Sequence, residues 1–235
     1  MAHQAGMMTH QAQAERRTGA RVLHPWCALG ALIAALGLTA IRAGSNVLTS
    51  DVAVTRGVQG APMPLASDLA HIGYWIGATP VTVALAAFGA TIFALVGHRA
   101  EALLLLGTIA ARCLNPLLKW ITDSPRPSSA SVNIREEPSG LGFPSSHAMG
   151  VVILFGAIAY LADRLIPHRT ARLTVQGLCL LAILITGFGR VYNGAHWPTD
   201  VIGGYLYGAG LLLLVIAAYR ATRRPALRPM PIARL

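Results

Sequence analysis

Charged residues are scarce in this 235-residue sequence: they form 12% of it, about half of the roughly 25% that is usual in a soluble domain. Apolar residues form 54%, and the mean hydropathy is +0.55. Too few polar side chains are therefore present to cover the surface of a soluble enzyme of this length. The composition argues against that class and predicts a protein whose surface is covered by a lipid bilayer.

Cysteine and acidic residues are also few. The three cysteines, Cys27, Cys113 and Cys179, each lie inside an apolar stretch and lack the spacing of a disulfide framework or a metal site. We predict that they are small buried hydrophobic residues. The nine acidic residues form no obvious carboxylate cluster for magnesium.

Basic residues are in excess, since nineteen Lys and Arg stand against nine Asp and Glu and give a formal net charge of +10. Such a charge can indicate a nucleic-acid partner, but these cations fall in short loops and tails between apolar runs. We therefore expect anionic lipid, and no nucleic acid, as the electrostatic partner.

Six apolar runs each approach the roughly 20 residues that cross a bilayer as a helix. They cover approximately residues 22–41, 74–96, 102–120, 148–165, 173–188 and 201–219. The sequence thus predicts an all-α polytopic membrane protein with six transmembrane helices. We expect cytoplasmic tails at residues 1–21 and 220–235 on either side of a membrane domain at residues 22–219.

The distribution of Lys and Arg predicts the orientation of this domain. If the spans alternate, one side of the membrane carries twelve of these residues and the other side six. The positive-inside rule then places both termini in the cytoplasm. The loops at residues 121–146 and 189–200 consequently face the periplasm or the cell exterior, and they hold most of the unusual polar residues.

Two cations, Lys119 and Arg126, lie seven residues apart at the outer end of the third run. Pro125 and Pro127 restrict the backbone on either side of Arg126 and hold it in a stiff turn. Alternatively, Lys119 snorkels to the interface beside Trp120, and Arg126 is an ordinary loop residue.

Ser145, Ser146 and His147 immediately precede the fourth run. Either serine can cap that helix, and the free N–H groups at a helix start form an anion site. A protonated His147 can give a proton to a departing oxygen. A lone histidine at a helix start is nevertheless often an ordinary surface residue.

Arg190, His196 and Asp200 lie between the fifth and sixth runs. With Pro198 in the first turn of the sixth helix, Asp200 lies close enough to accept a hydrogen bond from one ring nitrogen of His196. That carboxylate would fix the tautomer and leave the other nitrogen free to attack. The structural alternative makes Trp197 an interfacial anchor and Asp200 a charge that stabilises a helix N-terminus.

The order and spacing of these motifs resemble the type 2 phosphatidic acid phosphatase superfamily, a family of integral-membrane lipid phosphatases. The matching segments are Lys119-x6-Arg126-Pro127, Pro144-Ser145-Ser146-His147 and Gly189-Arg190-x5-His196-x3-Asp200. Two positions depart from the family pattern: Ser146 stands where the family has glycine, and Gly189 stands where it has serine.

The resemblance implies hydrolysis of a membrane lipid phosphate or diphosphate without a metal ion or other cofactor. It implies that His196 attacks phosphorus to form a phosphohistidine, that Asp200 orients it, and that His147 protonates the leaving oxygen. The implied ligands of the phosphate oxygens are Lys119, Arg126, Ser145, Ser146 and Arg190. Nearby cations should lower the pKa of His196 and favour its neutral form.

Two other functions would use the same residues. A phosphotransferase would pass the phosphoryl group to another lipid or sugar, and a noncatalytic transporter would use the basic pocket only to capture anionic lipid. The sequence does not identify the lipid substrate. The alternatives are a prenyl diphosphate such as undecaprenyl diphosphate, phosphatidylglycerol phosphate, phosphatidic acid and a lipid A phosphate. The usual location of the resembled family and the Arg-rich tails indicate the bacterial inner membrane. The oligomeric state is not predicted.

The segment at residues 42–71 carries no recognisable motif. We interpret its charged residues Asp51, Arg56 and Asp68 as solvated loop charges, although contacts with substrate are an alternative.

Overall fold

The structure, a computed structural model, describes residues 25–43, 47–137 and 139–223. The predictions for residues 1–21 and for the tail beyond residue 223 lie outside the described residues. The described part of the chain folds into nine helices: α1 (Pro25–Arg42), α2 (Thr49–Gly60), α3 (Ala66–Gly77), α4 (Thr79–Leu95), α5 (Arg99–Arg112), α6 (Asn115–Thr122), α7 (Ser146–Leu165), α8 (Arg169–Tyr192) and α9 (Pro198–Thr222). Every apolar run contributes a helix, which confirms the all-α prediction.

Within the described residues, four helical stretches are long and apolar enough to cross a membrane. They are Arg99–Thr122, which α5 and α6 form together, and the helices α7, α8 and α9. Helices α3 and α4 qualify as a fifth span when taken together, and they are bent by 53° where they meet. Helix α1 is apolar but shorter. The chain is therefore a multi-pass membrane protein with four or five candidate spans, and a sixth span stays a prediction.

Two prolines inside the predicted runs lie at helix starts. Pro80 is the second residue of α4, and Pro116 is the second residue of α6. In the first turn of a helix the missing N–H of proline costs no hydrogen bond, so each proline permits a new helix to begin. The apolar run at residues 74–96 consequently divides between α3 and α4, with the bend next to Ala78.

Helix α9 packs closely on α7 through two glycines. A Cβ atom on Gly204 would lie 2.8 Å from the carbonyl oxygen of Ser145, and one on Gly208 would lie 2.9 Å from that of Met149. Only hydrogen fits at these two positions, so the two glycines form a small-residue packing face between α7 and α9. This close approach sets the start of α7 beside the start of α9.

The segment at residues 42–71 is mostly helical, because α2 and the first half of α3 lie in it. Arg56 and Asp68 are exposed, but Asp51 is only 1% exposed, so the interpretation of Asp51 as a solvated loop charge is wrong. Asp51 lies in the first turn of α2, where it pairs with the buried guanidinium of Arg42.

The prediction of buried cysteines holds only for Cys179, whereas Cys27 and Cys113 are exposed. A soluble protein buries an apolar stretch in its core. In a membrane protein lipid tails are as apolar as the bundle interior, so an apolar stretch does not by itself reveal which of its residues face inward.

Candidate active site

The three polar motifs meet at one end of the helical bundle, where α6 and α8 end and where α7 and α9 begin. Backbone hydrogen bonds join them. The Ser145 N–H donates to the Asp200 carbonyl at 3.0 Å, and the His196 N–H donates to the Arg190 carbonyl at 3.1 Å. The start of α7, the start of α9 and the end of α8 are thus fixed relative to one another.

His196 is buried between an acid and a cation. Its Nδ1 atom lies 3.3 Å from Asp200 Oδ2, and its Nε2 atom lies 3.2 Å from Arg126 Nη1. A carboxylate accepts and a guanidinium donates, so these neighbours assign the ring proton to Nδ1 and leave a lone pair on Nε2. Asp200 Oδ2 also accepts from the Trp197 N–H at 3.0 Å, which ties the ring to the start of α9.

The imidazole of His196 is held in its neutral form. Burial, together with the charges of Arg126, Lys119 and Arg190, holds the pKa of this ring well below its ordinary value of 6.5. The predicted effect of the cations has the expected direction, although burial is the larger cause. A neutral ring keeps the lone pair that a nucleophile needs.

Backbone carbonyls hold Arg126 and Lys119 in place. Arg126 Nε donates to the Gly140 carbonyl and Nη1 to the Ala195 carbonyl, both at 2.8 Å. Lys119 Nζ donates to the Leu141 carbonyl at 2.5 Å. These acceptors are uncharged, so they orient the two cations without neutralising them, and the positive charge is available to an anion.

Arg190 is held by Glu136, a residue that no local sequence pattern marks. Arg190 Nη1 and Nη2 donate to the two Glu136 carboxylate oxygens at 3.0 and 2.6 Å, and Asn193 Nδ2 donates to the same carboxylate at 3.2 Å. The Nε atom of Arg190 is buried and has no hydrogen-bond partner within the described residues. The bidentate pair therefore fixes the guanidinium plane, and the Nε–H is available to a ligand.

Glu136 is ionised in this arrangement. Burial by itself raises the pKa of its carboxyl, but the hydrogen bonds and the charge of Arg190 outweigh burial and lower the pKa below its ordinary value.

His147, the second residue of α7, lies against an aromatic ring of α3. The ring centroids of His147 and Tyr74 are 5.6 Å apart, and the Arg190 guanidinium lies 5.1 Å from the Tyr74 centroid. The Nε2 atom of His147 is buried and lacks a hydrogen-bond partner among the residues described, so this atom is available to exchange a proton with a ligand.

The two serines at the start of α7 have different partners. Ser145 caps the helix, because its Oγ accepts from the Ala148 N–H at 3.4 Å, which is one of the two predicted caps. The Ser146 hydroxyl donates to the side-chain oxygen of Asn115. Contacts between these hydroxyls and a phosphate stay predictions.

Gly189, where the resembled family has serine, lies against the backbone of α3. A Cβ atom at this position would lie 2.8 Å from the carbonyl oxygen of Ala70. A serine does not fit there unless α3 moves. The glycine at position 189 thus permits a close contact between α3 and α8. This contact places Tyr74 of α3 next to Arg190 of α8.

A cavity of about 370 Å³ lies next to Tyr74 and Glu136, two of the residues that contact Arg190. Its lining includes Tyr74, Trp75, His71, Arg135, Glu136 and Asn193. Because Tyr74 and Glu136 both contact Arg190, the cavity gives a polar head group room next to the basic cluster. Within residues 25–43, 47–137 and 139–223, no three His, Cys, Asp or Glu side chains are grouped so as to hold a metal ion.

Residues 100–224, just over half of the chain, match the model of the PAP2 superfamily. A segment of 117 residues is 36% identical to phosphatidylglycerophosphatase B of Bacillus subtilis, covering 48% of this chain and 54% of that protein. A segment of 145 residues is 26% identical to undecaprenyl-diphosphatase of Sulfolobus acidocaldarius, covering 60% and 62%. The chain thus spans less than two thirds of the length of these curated relatives.

Two solved structures are similar to this fold. The crystal structure of a transmembrane PAP2-type phosphatidylglycerolphosphate phosphatase from Bacillus subtilis superposes with a TM-score of 0.74 at 25% identity, covering 86% of this chain and all of that one. LpxE of Aquifex aeolicus superposes with a TM-score of 0.56 at 22% identity, covering 72% and 96%.

Proposed function

Because this chain belongs to the PAP2 superfamily, we propose that it hydrolyses a membrane lipid phosphate or diphosphate, without a metal ion, through a phosphohistidine at His196. The environment of His196 carries the proposal. The ring is neutral, Asp200 accepts a hydrogen bond from its Nδ1–H, and its Nε2 lone pair is directed towards the guanidinium of Arg126, which attracts anions.

The reaction has two steps. In the first, the Nε2 lone pair of His196 attacks phosphorus, and the bond from phosphorus to the leaving oxygen breaks as that oxygen takes a proton from His147, whose charged form the bound anionic phosphate stabilises. In the second, the now neutral His147 removes a proton from water while the water oxygen attacks phosphorus. The bond from phosphorus to Nε2 then breaks, inorganic phosphate leaves, and His196 regains its lone pair.

Fixed cations stabilise the charge of the transferring phosphoryl group. Lys119, Arg126 and Arg190 supply three cationic hydrogen-bond donors around the equatorial oxygens, with the charge of Arg190 partly offset by Glu136. Many phosphoryl-transfer enzymes use metal ions for this task. Ser145, Ser146 and the N–H groups at the start of α7 add hydrogen bonds to the same oxygens.

A lipid substrate is supported by the relatives and by two cavities. The named relatives act on phosphatidylglycerol phosphate and on undecaprenyl diphosphate. The cavity beside Arg190 accommodates the head group. A second, apolar cavity of about 290 Å³ reaches Leu154 and Leu161 on α7. Its lining on α7 begins at Leu154, about 10 Å along the helix from His147, and continues to Leu165, about 27 Å from it, a distance that a long lipid tail can span.

We propose that α1 is an additional span, which brings the number of spans to six. We also propose that the site lies at the outer face of the inner membrane. Trp26, Ile33 and Leu36 of α1 are exposed large hydrophobic residues, which suits a helix in contact with lipid. The positive-inside rule supports cytoplasmic termini.

Phosphate release from a panel of lipid phosphates tests the proposal. The panel contains phosphatidylglycerol phosphate, undecaprenyl diphosphate, phosphatidic acid and a lipid A phosphate, and the purified protein is assayed with and without chelator. We expect His196→Ala to lower kcat at least about 10³-fold and His147→Ala to lower it about 10²- to 10⁴-fold. His168→Ala, an exposed histidine at the start of α8, serves as the matched control and should retain activity.

Chelation should leave the activity intact. Activity that chelation abolishes and magnesium restores would contradict the mechanism, and so would full phosphate release by His196→Ala. Binding of the lipid phosphates by the wild-type protein without release of phosphate would favour transport. Transfer of the phosphate to a second lipid, in place of its release, would identify a phosphotransferase.

A further inference from the structure

Arg42 and Asp51 form a buried ion pair beside the proposed active site, although both precede residues 100–224 that match the family. Arg42 is the last residue of α1 and is 0% exposed, and Asp51 in the first turn of α2 is 1% exposed. Their charged atoms, Nη1 and Oδ2, lie 3.4 Å apart. Charges this deeply buried are costly unless each has well-placed partners.

Arg42 also pairs with the carboxylate that orients His196. Its Nη2 atom lies 3.4 Å from Asp200 Oδ1 and donates to Ser124 Oγ at 2.7 Å. The other oxygen of Asp200, Oδ2, faces the His196 ring and the Trp197 N–H. Both oxygens of Asp200 are therefore engaged, and a rotation of this carboxylate would break contacts on both sides.

Asp51 holds the neighbouring residue of α9. Its Oδ1 accepts from the Thr199 N–H at 3.0 Å, and its Oδ2 accepts from the Thr199 hydroxyl at 2.6 Å. Thr199 precedes Asp200 in the first turn of α9. The ion pair between Arg42 and Asp51 thus holds both the backbone at the start of α9 and the side chain of Asp200.

We propose that Arg42 and Asp51 are positioning residues, which hold Asp200 so that it directs His196 Nε2 at phosphorus. The inference rests on the proposed function. Because Asp200 sets the orientation of the ring, a shifted carboxylate moves Nε2 away from its line of attack, and misplacement by about 1 Å can cost on the order of 10²-fold in rate. The loss falls on kcat, since Lys119, Arg126 and Arg190 still capture the phosphate.

A purely structural role makes a different prediction. If Arg42 only joined α1 to α9, its loss would disturb the whole outer end of the bundle, and affinity for phosphate would fall together with turnover. Inhibition by inorganic phosphate, the product, measures the cationic cluster independently of turnover and therefore separates the two roles.

The full-length protein is purified as Arg42→Met and Arg42→Lys, with Arg99→Met as a matched control at an exposed position of α5. We expect Arg42→Met to lower kcat by about 10- to 100-fold, with KM and the phosphate inhibition constant within about twofold of wild type. Arg42→Lys keeps the charge and should recover part of kcat, and Arg99→Met should match wild type.

Thr199→Val gives a milder test, because it removes only the neutral hydroxyl that donates to Asp51. This variant is needed if Arg42→Met does not fold. We expect it to lower kcat by about three- to tenfold, less than the full loss of one hydrogen bond to a charged group, because the Thr199 N–H still donates to Asp51. Phosphate inhibition should again be unchanged. Thr199→Val with wild-type kcat would overturn the inference.

His196→Ala is measured in parallel. If it is inactive while Arg42→Met keeps full kcat, the positioning role is wrong and the proposed function stands. If His196→Ala is fully active, the proposed function itself is wrong. A phosphate inhibition constant that rises in step with the loss of kcat in Arg42→Met would also overturn the positioning role.

Discussion

The Nε2 atom of His196 and the Nη1 atom of Arg126 lie 3.2 Å apart, so the lone pair of the proposed nucleophile is directed at a positive charge. This contact disfavours protonation of the ring, because the imidazolium would repel the guanidinium. It also means that an anion bound to Arg126 lies next to Nε2. One arginine thus contributes both to the protonation state of the nucleophile and to capture of the phosphate.

The pH dependence of kcat/KM should report this contact. Burial and the cations lower the pKa of His196 below 6.5, so the ring stays neutral and competent as the pH falls through that value. Arg126→Met removes one cation, raises the pKa of His196, and should move the acidic limb to higher pH. Arg126→Lys keeps the charge and should leave the limb near its wild-type position. Because all three proteins are assayed with the same substrate, ionisation of the substrate affects their pH profiles equally. If the acidic limbs of the three kcat/KM profiles coincided, the assignment of that limb to His196 would be wrong.

Glu136→Gln should weaken substrate binding. The substitution removes the charge that aligns the Arg190 guanidinium through two hydrogen bonds. We expect KM to rise about tenfold, which corresponds to about 1.4 kcal/mol, with a smaller change in kcat. Glu137→Gln, at the exposed neighbouring residue, is the control. A lower KM in Glu136→Gln would instead show that this carboxylate competes with phosphate for Arg190.

Gly189→Ser, which restores the residue of the family motif, should destabilise this protein. The added Cβ would lie 2.8 Å from the Ala70 carbonyl oxygen, and overpacking of this kind costs about 1–3 kcal/mol. Thermal unfolding in detergent measures the loss. Gly177→Ser is the matched control on the same helix, because no atom lies within 4 Å of a Cβ placed there. Equal melting temperatures for the two variants would show that α3 moves aside freely.

The proposed orientation can be tested with an impermeant thiol reagent. In a variant with its three native cysteines replaced by alanine, Ser129→Cys lies in the loop between α6 and α7 and should react in intact cells. His168→Cys, before α8, should react only after permeabilisation. The reverse pattern would invert the topology.

Local patterns in the sequence predicted much of the site. His196 and Asp200 are four residues apart at a helix start, where such a spacing brings two side chains into contact, and the structure has that contact. Proline effects were harder to predict: Pro80 lies where an apolar run breaks into two helices, a break that hydropathy does not reveal. The side of each helix that faces lipid was also hidden, because lipid and the bundle interior are equally apolar, as Cys27 and Cys113 show.

The sequence by itself determined the membrane class, the all-α class, and those candidate-site residues that are near neighbours along the chain, because hydropathy and spacing along a helix are local properties. Only the tertiary structure decided which charged residues, distant along the chain, contact those candidate-site residues. Arg42 meets Asp200 across 158 positions, and Glu136 meets Arg190 across 54. A single buried charge has no periodicity by which it can be recognised, and its partner is fixed by which helix faces pack together, as at Gly204 and Gly208.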